Sequence, residues 1–200
     1  MDLVCLDMES VLVPEMWIEF AKGTGNEALT RTTREEPDYD KLMQFRIDYL
    51  REHDVKLRDL VQFFEALEPL EGAREFLDKL RRITQVIIVS DTFPEFATPL
   101  MEKLGWPTLF ANGLEIDEQG FICGYRMRCE HSKLDTVKAL QSIGFETIAA
   151  GDSYNDIDMI CASKAGFLFH ASEQVKAEYP DVVAYDEYDE LFEGIRRALS

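Results

Sequence analysis

The chain has 200 residues, of which 46% are hydrophobic and 30% are charged, and its formal net charge at pH 7 is -18. This length and composition suit one globular domain, or a core that carries one inserted module. Binding to a polyanion requires clustered Lys and Arg, whereas the 21 basic residues are scattered among 39 acidic residues. We therefore expect no nucleic-acid partner.

The cysteines and the N-terminus indicate the compartment. Cys5, Cys123, Cys129 and Cys161 show no CxxC spacing and no disulfide-dense pattern, so we expect reduced thiols. The first ten residues, MDLVCLDMES, lack a basic region followed by an apolar stretch. No run approaches the roughly 18 apolar residues of a membrane span. These features predict a cytoplasmic protein without a membrane partner, either a monomer or a homodimer.

Short runs rich in Val and Ile alternate with helical patterns, which is the rhythm of a parallel α/β sheet. In chain order the strand-like runs are LVCLDM, QVIIVSD, TIAAGDS, AGFLFHA and DVVAYDE. Residues 72–83 and 132–143 place apolar side chains at helical spacing before the next strand. We therefore predict an α/β fold with a Rossmann-like parallel sheet between two layers of helices.

One interval after the first strand interrupts this rhythm. It contains three segments with helical patterning, at about residues 14–24, 39–52 and 56–67. We interpret residues 13–69 as a small helical cap inserted into a catalytic core of residues 1–12 and 70–200. Within the core, residues 114–127 alternate around the turn signal DEQG and predict a β-hairpin.

Acidic residues recur where two buried strands are predicted to end. Asp7 closes the first strand-like run, and Asp152 and Asp156 lie in GDSYND after a later one. Open parallel sheets bind ligands beyond the carboxyl ends of their strands, so these side chains should lie together. Mg²⁺ takes oxygen ligands, usually one or two carboxylates plus substrate phosphate. We predict Asp7 and Asp152 as direct magnesium ligands, with Asp156 behind them as an orienting residue.

Asp7 is also the candidate nucleophile. A carboxylate can attack phosphorus to give an aspartyl-phosphate, which splits a difficult hydrolysis into two easier steps. Glu9 lies two residues later, where its carboxyl can protonate the leaving alkoxide and later deprotonate water, work typically contributing about 10²–10⁴-fold. The alternative for both residues is an exposed pair of acids at a strand end.

Two further positions suit a phosphate group. Ser90 directly follows the run VIIV, so its hydroxyl and the backbone N–H groups of Asp91 and Thr92 are placed to bind phosphate oxygens. Lys133 begins a predicted helix, where its charge opposes the helix dipole unless a ligand anion compensates. A serine N-cap and a solvated lysine are the alternative interpretations.

The order of Asp7, Ser90, Lys133 and the acids of GDSYND resembles the motifs of the haloacid dehalogenase superfamily of phosphotransferases. The resemblance spans essentially the whole chain. It implies Mg²⁺ as the cofactor and the backbone carbonyl of Glu9 as a further metal ligand.

Three segments look like the phosphoserine phosphatase group within this superfamily, and most of all its bifunctional branch of phosphoserine phosphatases and homoserine phosphotransferases. These segments are LVPEMWIEFAKGTG, TTREEPDYDKLMQFRI and LEPLEGAREFLDKLR. The resemblance implies O-phospho-L-serine as the substrate, a role in serine or threonine synthesis, and homoserine as a phosphoryl acceptor.

The same resemblance assigns the residues that recognise the amino acid. A cap Glu and a cap Arg bind the ammonium and the carboxylate of phosphoserine in the family, and by motif order they match Glu15 and Arg46. Arg suits this role because it binds a carboxylate bidentately. The complete expected substrate-binding set is Glu15, Arg46, Ser90, Asp91, Thr92, Lys133 and Asn155.

The first motif reads DMESV, whereas phosphoserine phosphatases usually read DxDST. Glu9 keeps the acid but changes its reach by one methylene, which would slow attack by water and leave the phosphoenzyme available to an acceptor alcohol. The bifunctional branch also has Glu at this position.

Two other functions remain open. One is a phosphatase for a different small phosphomonoester, and the other is a phospho-receiver signalling module, which also uses a doubly wound sheet with an acceptor Asp. Receiver modules lack an early inserted cap and a late GDxxxD motif. These two features therefore favour an enzyme that turns over its phosphoenzyme. The three histidines show no paired spacing, and we expect them to be structural.

Overall fold

The computed structural model describes residues 1–32, 35–36 and 38–200. Its strands are β1 (Asp2–Leu6), β2 (Gln85–Val89), β3 (Thr108–Phe110), β4 (Gly113–Ile116), β5 (Ile122–Arg126), β6 (Glu146–Gly151), β7 (Ala165–Phe169) and β8 (Val183–Tyr185). Its helices are α1 (Met16–Thr24), α2 (Tyr39–Glu52), α3 (Leu57–Glu65), α4 (Ala73–Leu80), α5 (Pro94–Lys103), α6 (Ser132–Ser142), α7 (Tyr154–Ala162), α8 (Glu173–Glu178) and α9 (Tyr188–Ala198), with a 3₁₀ turn at Glu27–Thr30. Positions 33, 34 and 37 of the segment TTREEPDYDKLMQFRI lie outside the described residues.

Six strands form one parallel sheet in the order β3-β2-β1-β6-β7-β8. The chain leaves β1 toward β2 and β3 and then crosses to β6 on the other side of β1. Ligands bind at such a reversal of strand order, beyond the carboxyl ends of the strands. The predicted α/β fold class is confirmed, and all five predicted strands lie in the sheet.

Side chains alternate across the sheet and create two hydrophobic cores. Val4 and Leu6 of β1 pack in the core that includes α4, α5 and α9. Leu3 and Cys5 point the other way, into the core that includes α6 and α7. This period of two, in strands buried on both faces, produces the three layers. No helix within the described ranges is long and apolar enough to cross a lipid bilayer.

Helices α1, α2 and α3 all lie between β1 and α4 along the chain. The backbone N–H of Leu70 donates to the carbonyl of Leu12 at 3.0 Å, so the two ends of this segment meet. The segment packs on helix α5 through aromatic rings: Trp17 and Phe64 contact Phe96 at centroid distances of 5.5 and 5.1 Å. We keep the division into a cap of residues 13–69 and a core as a prediction.

Strands β4 and β5 form an antiparallel hairpin at residues 113–126, where the sequence predicts one at 114–127. The hairpin contacts α2. The Tyr125 hydroxyl donates to the Asp40 carboxylate, and Arg51 Nη2 lies 2.6 Å from Asp117 Oδ2. These contacts hold α2 above the sheet edge where the strands end.

Candidate active site

A cleft of about 390 Å³ opens at the carboxyl ends of β1, β2 and β6, below α1 and α2. Ten of the eleven predicted site residues line it, and they come from both the sheet edge and the helices. The exception is Asp156, which is fully buried behind the wall. The fold therefore brings the predicted residues together.

The centre of the cleft is a buried cluster of three carboxylates and one ammonium. Lys133 Nζ lies 2.8 Å from Asp7 Oδ1 and 2.5 Å from Asp156 Oδ1. The other oxygen of Asp156 accepts hydrogen bonds from the backbone N–H of Asp152 at 3.0 Å and of Ser153 at 3.1 Å. Both Asp156 oxygens are thus occupied, and this side chain holds the lysine and the start of α7.

Gly151 explains how Asp156 comes so close to β6. A Cβ atom at position 151 would lie 2.2 Å from Asp156 Cγ, which is far inside van der Waals contact. The carboxylate therefore fits only over a glycine, as in the GD pair of GDSYND. The local sequence fixes both the acid and the space that it needs.

Burial and charge crowding shift the pKa values of this cluster. Burial, followed by repulsion from Asp156, raises the pKa of Asp7 well above its usual range, although Lys133 opposes the shift. Burial, again followed by repulsion from Asp156, raises the pKa of Asp152 to about 7. Burial disfavours the charged form of Lys133, but attraction to Asp156 and Asp7 outweighs it and places its pKa well above the usual value.

The chemistry of the cluster suits a divalent cation. One carboxylate oxygen from each of Asp7, Asp152 and Asp156 lies within 4.8 Å of the other two, with Asp156 behind the two acids that face the cleft. Three buried carboxylates beside one ammonium leave an excess of negative charge that a hard cation or a proton must compensate. The raised pKa values of Asp7 and Asp152 have the same origin, since burial and mutual repulsion disfavour the charged carboxylates. The donor set therefore fits a hard metal ion.

Glu9 and Glu15 lie next to each other in the turn between β1 and α1. Glu9 Oε2 accepts the backbone N–H of Met16 at 2.9 Å, and Glu15 Oε1 accepts the Ser10 hydroxyl at 2.9 Å. Ser10 has a φ of 59°, so the chain turns sharply here. Burial and the adjacent Glu15 raise the pKa of Glu9 to about 8, so its carboxyl carries a proton at neutral pH.

Residues 90–92, which we call the Ser90 loop, form a second wall of the cleft. The Ser90 backbone N–H donates to Phe110 O at 2.9 Å, which extends the pairing of β2 with β3. Ser90 Oγ accepts the N–H of Thr92 at 3.3 Å, and both residues are buried. Asp91 Oδ2 accepts from Asn155 Nδ2 at 3.3 Å. The loop leads directly into α5.

Arg46 reaches the cleft from α2 and is 6% exposed. Its guanidinium carbon lies 4.5 Å above the ring of Trp17, and Nη2 donates to Arg31 O at 3.0 Å. Its Nε is buried and has no hydrogen-bond partner among the described residues. Burial lowers the pKa of Arg46 to about 10, which still leaves it charged at neutral pH. An anionic ligand would satisfy both the charge and the free donor.

Three polar residues lie near the site although no sequence pattern predicts them there. The Tyr39 hydroxyl donates to Asp91 O at 3.3 Å from α2. His170, expected to be structural, lines the cleft with a φ of 54°, and its ring nitrogens lie 3.0 Å from Ser10 O and from Asp186 O. Asn112 is buried behind the Ser90 loop. A single Tyr, His or Asn carries no spacing signal, so only the fold reveals their positions.

Comparisons with known proteins point to one family. A family model described as haloacid dehalogenase-like hydrolase matches residues 1–163. Phosphoserine phosphatase ThrH of Pseudomonas aeruginosa is 49% identical over 200 residues, which cover 100% of this chain and 98% of that protein. A phosphoserine phosphatase of Pseudomonas syringae pv. tomato is 49% identical over 190 residues, covering 95% of this chain and 80% of that protein.

The fold has solved counterparts. A structure described as the phospho-aspartyl intermediate analogue of phosphoserine phosphatase has a TM-score of 0.78 and covers 96% of this chain and 97% of that chain. At 22% identity this likeness concerns the fold alone. The family model and the relative that matches the whole chain both identify the family, and the chain belongs to the haloacid dehalogenase-like hydrolases.

Proposed function

We propose that the chain hydrolyses O-phospho-L-serine to L-serine and phosphate, with Mg²⁺ as the cofactor and an aspartyl-phosphate on Asp7 as the intermediate. One observation carries the proposal. A single cleft joins the cluster around Asp7 and Lys133 to the buried Arg46 and to Glu15, so it offers groups for a phosphate, a carboxylate and an ammonium. The two relatives at 49% identity, which are named phosphoserine phosphatases, support the same substrate.

In the first step a carboxylate oxygen of Asp7 attacks phosphorus, and the bond from phosphorus to the serine oxygen breaks. Glu9, whose pKa of about 8 keeps it protonated, gives its proton to the leaving alkoxide. Ser90 and Lys133 hold the phosphoryl oxygens and offset the charge that develops on them. Asp7, Asp152 and the backbone carbonyl of Glu9 would hold Mg²⁺, which would supply electrostatic stabilisation of the phosphoryl charge.

In the second step water attacks the aspartyl-phosphate while Glu9 accepts a proton from it, and the oxygen–phosphorus bond to Asp7 breaks. This returns Asp7 as a carboxylate and Glu9 as an acid, and it releases phosphate. Lys133 stays paired with Asp156 throughout, which keeps the ammonium in place for both steps.

The amino-acid part of the substrate is recognised on the helical side. Arg46 binds the carboxylate through donors that include its buried Nε, and the Trp17 ring stacks against the guanidinium. Glu15 binds the ammonium. Asn155, Asp91 and Thr92 complete the wall at the phosphate end.

We extend the proposal to phosphoryl transfer from Asp7 to homoserine, which is serine with one additional methylene. Glu9 supports this extension because the Met16 N–H donates to its carboxyl at 2.9 Å, a contact that slows proton uptake from water without preventing it. An acceptor alcohol bound at Arg46 and Glu15 would bring its own hydroxyl to the phosphoenzyme.

The test is phosphate release from O-phospho-L-serine with Mg²⁺, with and without homoserine, with all products identified by mass and Asp7→Asn as the inactive control. Free phosphate establishes the phosphatase, and phosphohomoserine establishes transfer. Activity on other phosphomonoesters alone would refute phosphoserine as the substrate. A stable phosphoprotein without turnover would instead favour a receiver-like module.

A further inference from the structure

Asn112 lies directly behind the Ser90 loop, two residues after β3, and is 1% exposed. Its backbone N–H donates to Thr92 O at 2.9 Å. Its side-chain Nδ2 donates to Asp91 O at 3.3 Å, and its Oδ1 accepts the backbone N–H of Arg128 at 3.0 Å. Two of the three hydrogen bonds hold the Ser90 loop, and the third reaches the segment that precedes α6.

Only an amide of this length serves both sides. Asp91 O can only accept and Arg128 N can only donate, so the side chain between them must present a donor and an acceptor about two ångströms apart, as Asn does. Asp at this position would keep the acceptor but face the Asp91 carbonyl with a second acceptor. Leu would fill the volume but leave the N–H of Arg128 without its acceptor and the carbonyl of Asp91 with the Tyr39 hydroxyl alone.

Arg128 continues the connection to α6. Its Nη2 donates to Ser132 O at 3.0 Å and to Thr136 Oγ1 at 2.6 Å, both in the first turns of the helix that carries Lys133. Its guanidinium carbon lies 5.5 Å from the centre of the Phe110 ring, at the end of β3. Arg128 therefore fixes α6 against the same segment that presents Asn112.

We propose that Asn112 is a positioning residue that sets the distance between the Ser90 loop and Lys133, the two elements that grip the transferring phosphoryl group. The inference rests on the proposed function for the phosphate-binding roles of Ser90 and Lys133. These residues reach the cleft from different elements, one after β2 and the other at the start of α6. A series of hydrogen bonds runs from Asp91 through Asn112 and Arg128 to Ser132. It couples the Ser90 loop to the start of α6.

Transition-state stabilisation depends on this distance more than substrate binding does, because Arg46 and Glu15 bind the amino acid from the other side of the cleft. A misplacement of about 1 Å can lower a rate by about 10²-fold. We therefore expect Asn112→Leu and Asn112→Asp to lower kcat by about 10²-fold for phosphoserine and for p-nitrophenyl phosphate, while KM for phosphoserine changes by less than about threefold.

Thr147→Val is the matched control for loss of a buried polar group. Thr147 is fully buried in β6, accepts from Gln141 Nε2 at 2.8 Å and donates to Ser163 Oγ at 3.0 Å, at the end of the strand away from the cleft. The Thr147→Val variant should lower the melting temperature as the Asn112 variants do, and it should leave kcat unchanged. Equal loss of kcat in Thr147→Val at equal melting temperature would overturn the proposal, as would wild-type kcat in a folded Asn112→Asp.

If Asn112→Leu does not fold, Asn112→Asp decides, because it keeps the bond from Arg128 N. Orthovanadate binding, measured by calorimetry with Mg²⁺, gives a readout that needs no substrate. Binding at least about tenfold weaker in the Asn112 variants supports the proposal, and unchanged binding together with unchanged kcat refutes it. A wild-type protein that cleaves p-nitrophenyl phosphate but not phosphoserine would refute the proposed substrate alone.

Discussion

Lys133 Nζ lies 2.8 Å from Asp7 Oδ1, and both side chains are at most 7% exposed. The contact joins the first turn of α6 to the end of β1 and places a fixed positive charge against the proposed nucleophile. Since Lys133 also pairs with Asp156, one ammonium holds two buried carboxylates. Part of the electrostatic organisation of the site is therefore in place before any ligand binds.

Replacing Lys133 with Met should abolish most of the activity and reduce stability. Loss of one charge that contacts the transferring group is expected to lower kcat by at least about 10²–10³-fold. Removing one partner of a buried ion pair costs about 3–5 kcal/mol. Chemical denaturation in EDTA at pH 7.5 measures the stability change, and the exposed Lys138→Met on the same helix is the control. Unchanged stability in Lys133→Met would contradict the buried ion-pair cluster.

The metal-free protein should lose stability as the pH rises from about 4 to about 7. Burial raises the pKa of Asp152 from 3.8 in the unfolded chain to about 7 in the folded protein, so the folded state binds the proton more tightly. The resulting contribution to stability is complete below the unfolded pKa and is lost as the pH passes the folded pKa. Denaturation midpoints in EDTA across this range measure the slope.

Asp152→Asn is the control for this slope, because it removes the titrating group and keeps the shape of the side chain. The difference in slope between the parent and Asp152→Asn isolates Asp152 from the exposed carboxyls that titrate in the same range. Added Mg²⁺ should stabilise the parent more at pH 7.5 than at pH 5, because metal and proton compete for the same oxygens. Equal slopes in the two proteins would refute the raised pKa.

The sequence predicted the family, the fold class and the buried acidic cluster because these depend on local signals. Val- and Ile-rich runs mark buried strands, and the acids that follow β1 and β6 must meet at one sheet edge when the strands are parallel. The family and the fold are confirmed by the comparisons. The individual roles of Asp7, Glu9 and Lys133 stay predictions until they are tested.

Other parts of the site could not be predicted because they depend on tertiary packing. Strand β3 has three residues, too few for a recognisable pattern, and Asn112 lies in the pair Asn-Gly, which reads as an ordinary turn signal. Tyr39 sits at the start of an amphipathic helix, where an aromatic residue is expected to pack. Each acquires its role only when α2, β3 and α6 meet at the Ser90 loop.

Gly151→Ala should inactivate the protein through Asp156. The added Cβ would lie 2.2 Å from Asp156 Cγ, so the carboxylate must leave its position and release Lys133. Overpacking of this kind typically costs about 1–3 kcal/mol. Gly113→Ala is the matched control, because the nearest atom to its added Cβ is 3.7 Å away, in ordinary contact. Phosphatase activity and melting temperature check both variants, and an active Gly151→Ala would show that the tight fit is not required.

Arg46→Ala should raise KM for O-phospho-L-serine and leave KM for O-phosphoethanolamine, which lacks the carboxylate, nearly unchanged. Loss of a buried, charge-assisted contact costs about 2 kcal/mol or more, which corresponds to about 30-fold in KM. Arg51→Ala on the same helix is the control, since Arg51 pairs with Asp117 of the hairpin outside the cleft. Equal increases in KM for both substrates would remove Arg46 from carboxylate recognition.

Glu9→Asp should raise the ratio of hydrolysis to phosphoryl transfer. Glu9 Oε2 accepts the Met16 N–H at 2.9 Å, a contact that a side chain shorter by one methylene cannot make without backbone movement. The freed carboxyl can then activate water at the phosphoenzyme instead of capping α1. Free phosphate and phosphohomoserine, quantified by mass from phosphoserine and homoserine, give the ratio. Glu19→Asp, at a partly exposed position on α1, should leave it unchanged; an equal ratio in Glu9→Asp and the parent would mean that the length of this acid does not select the acceptor.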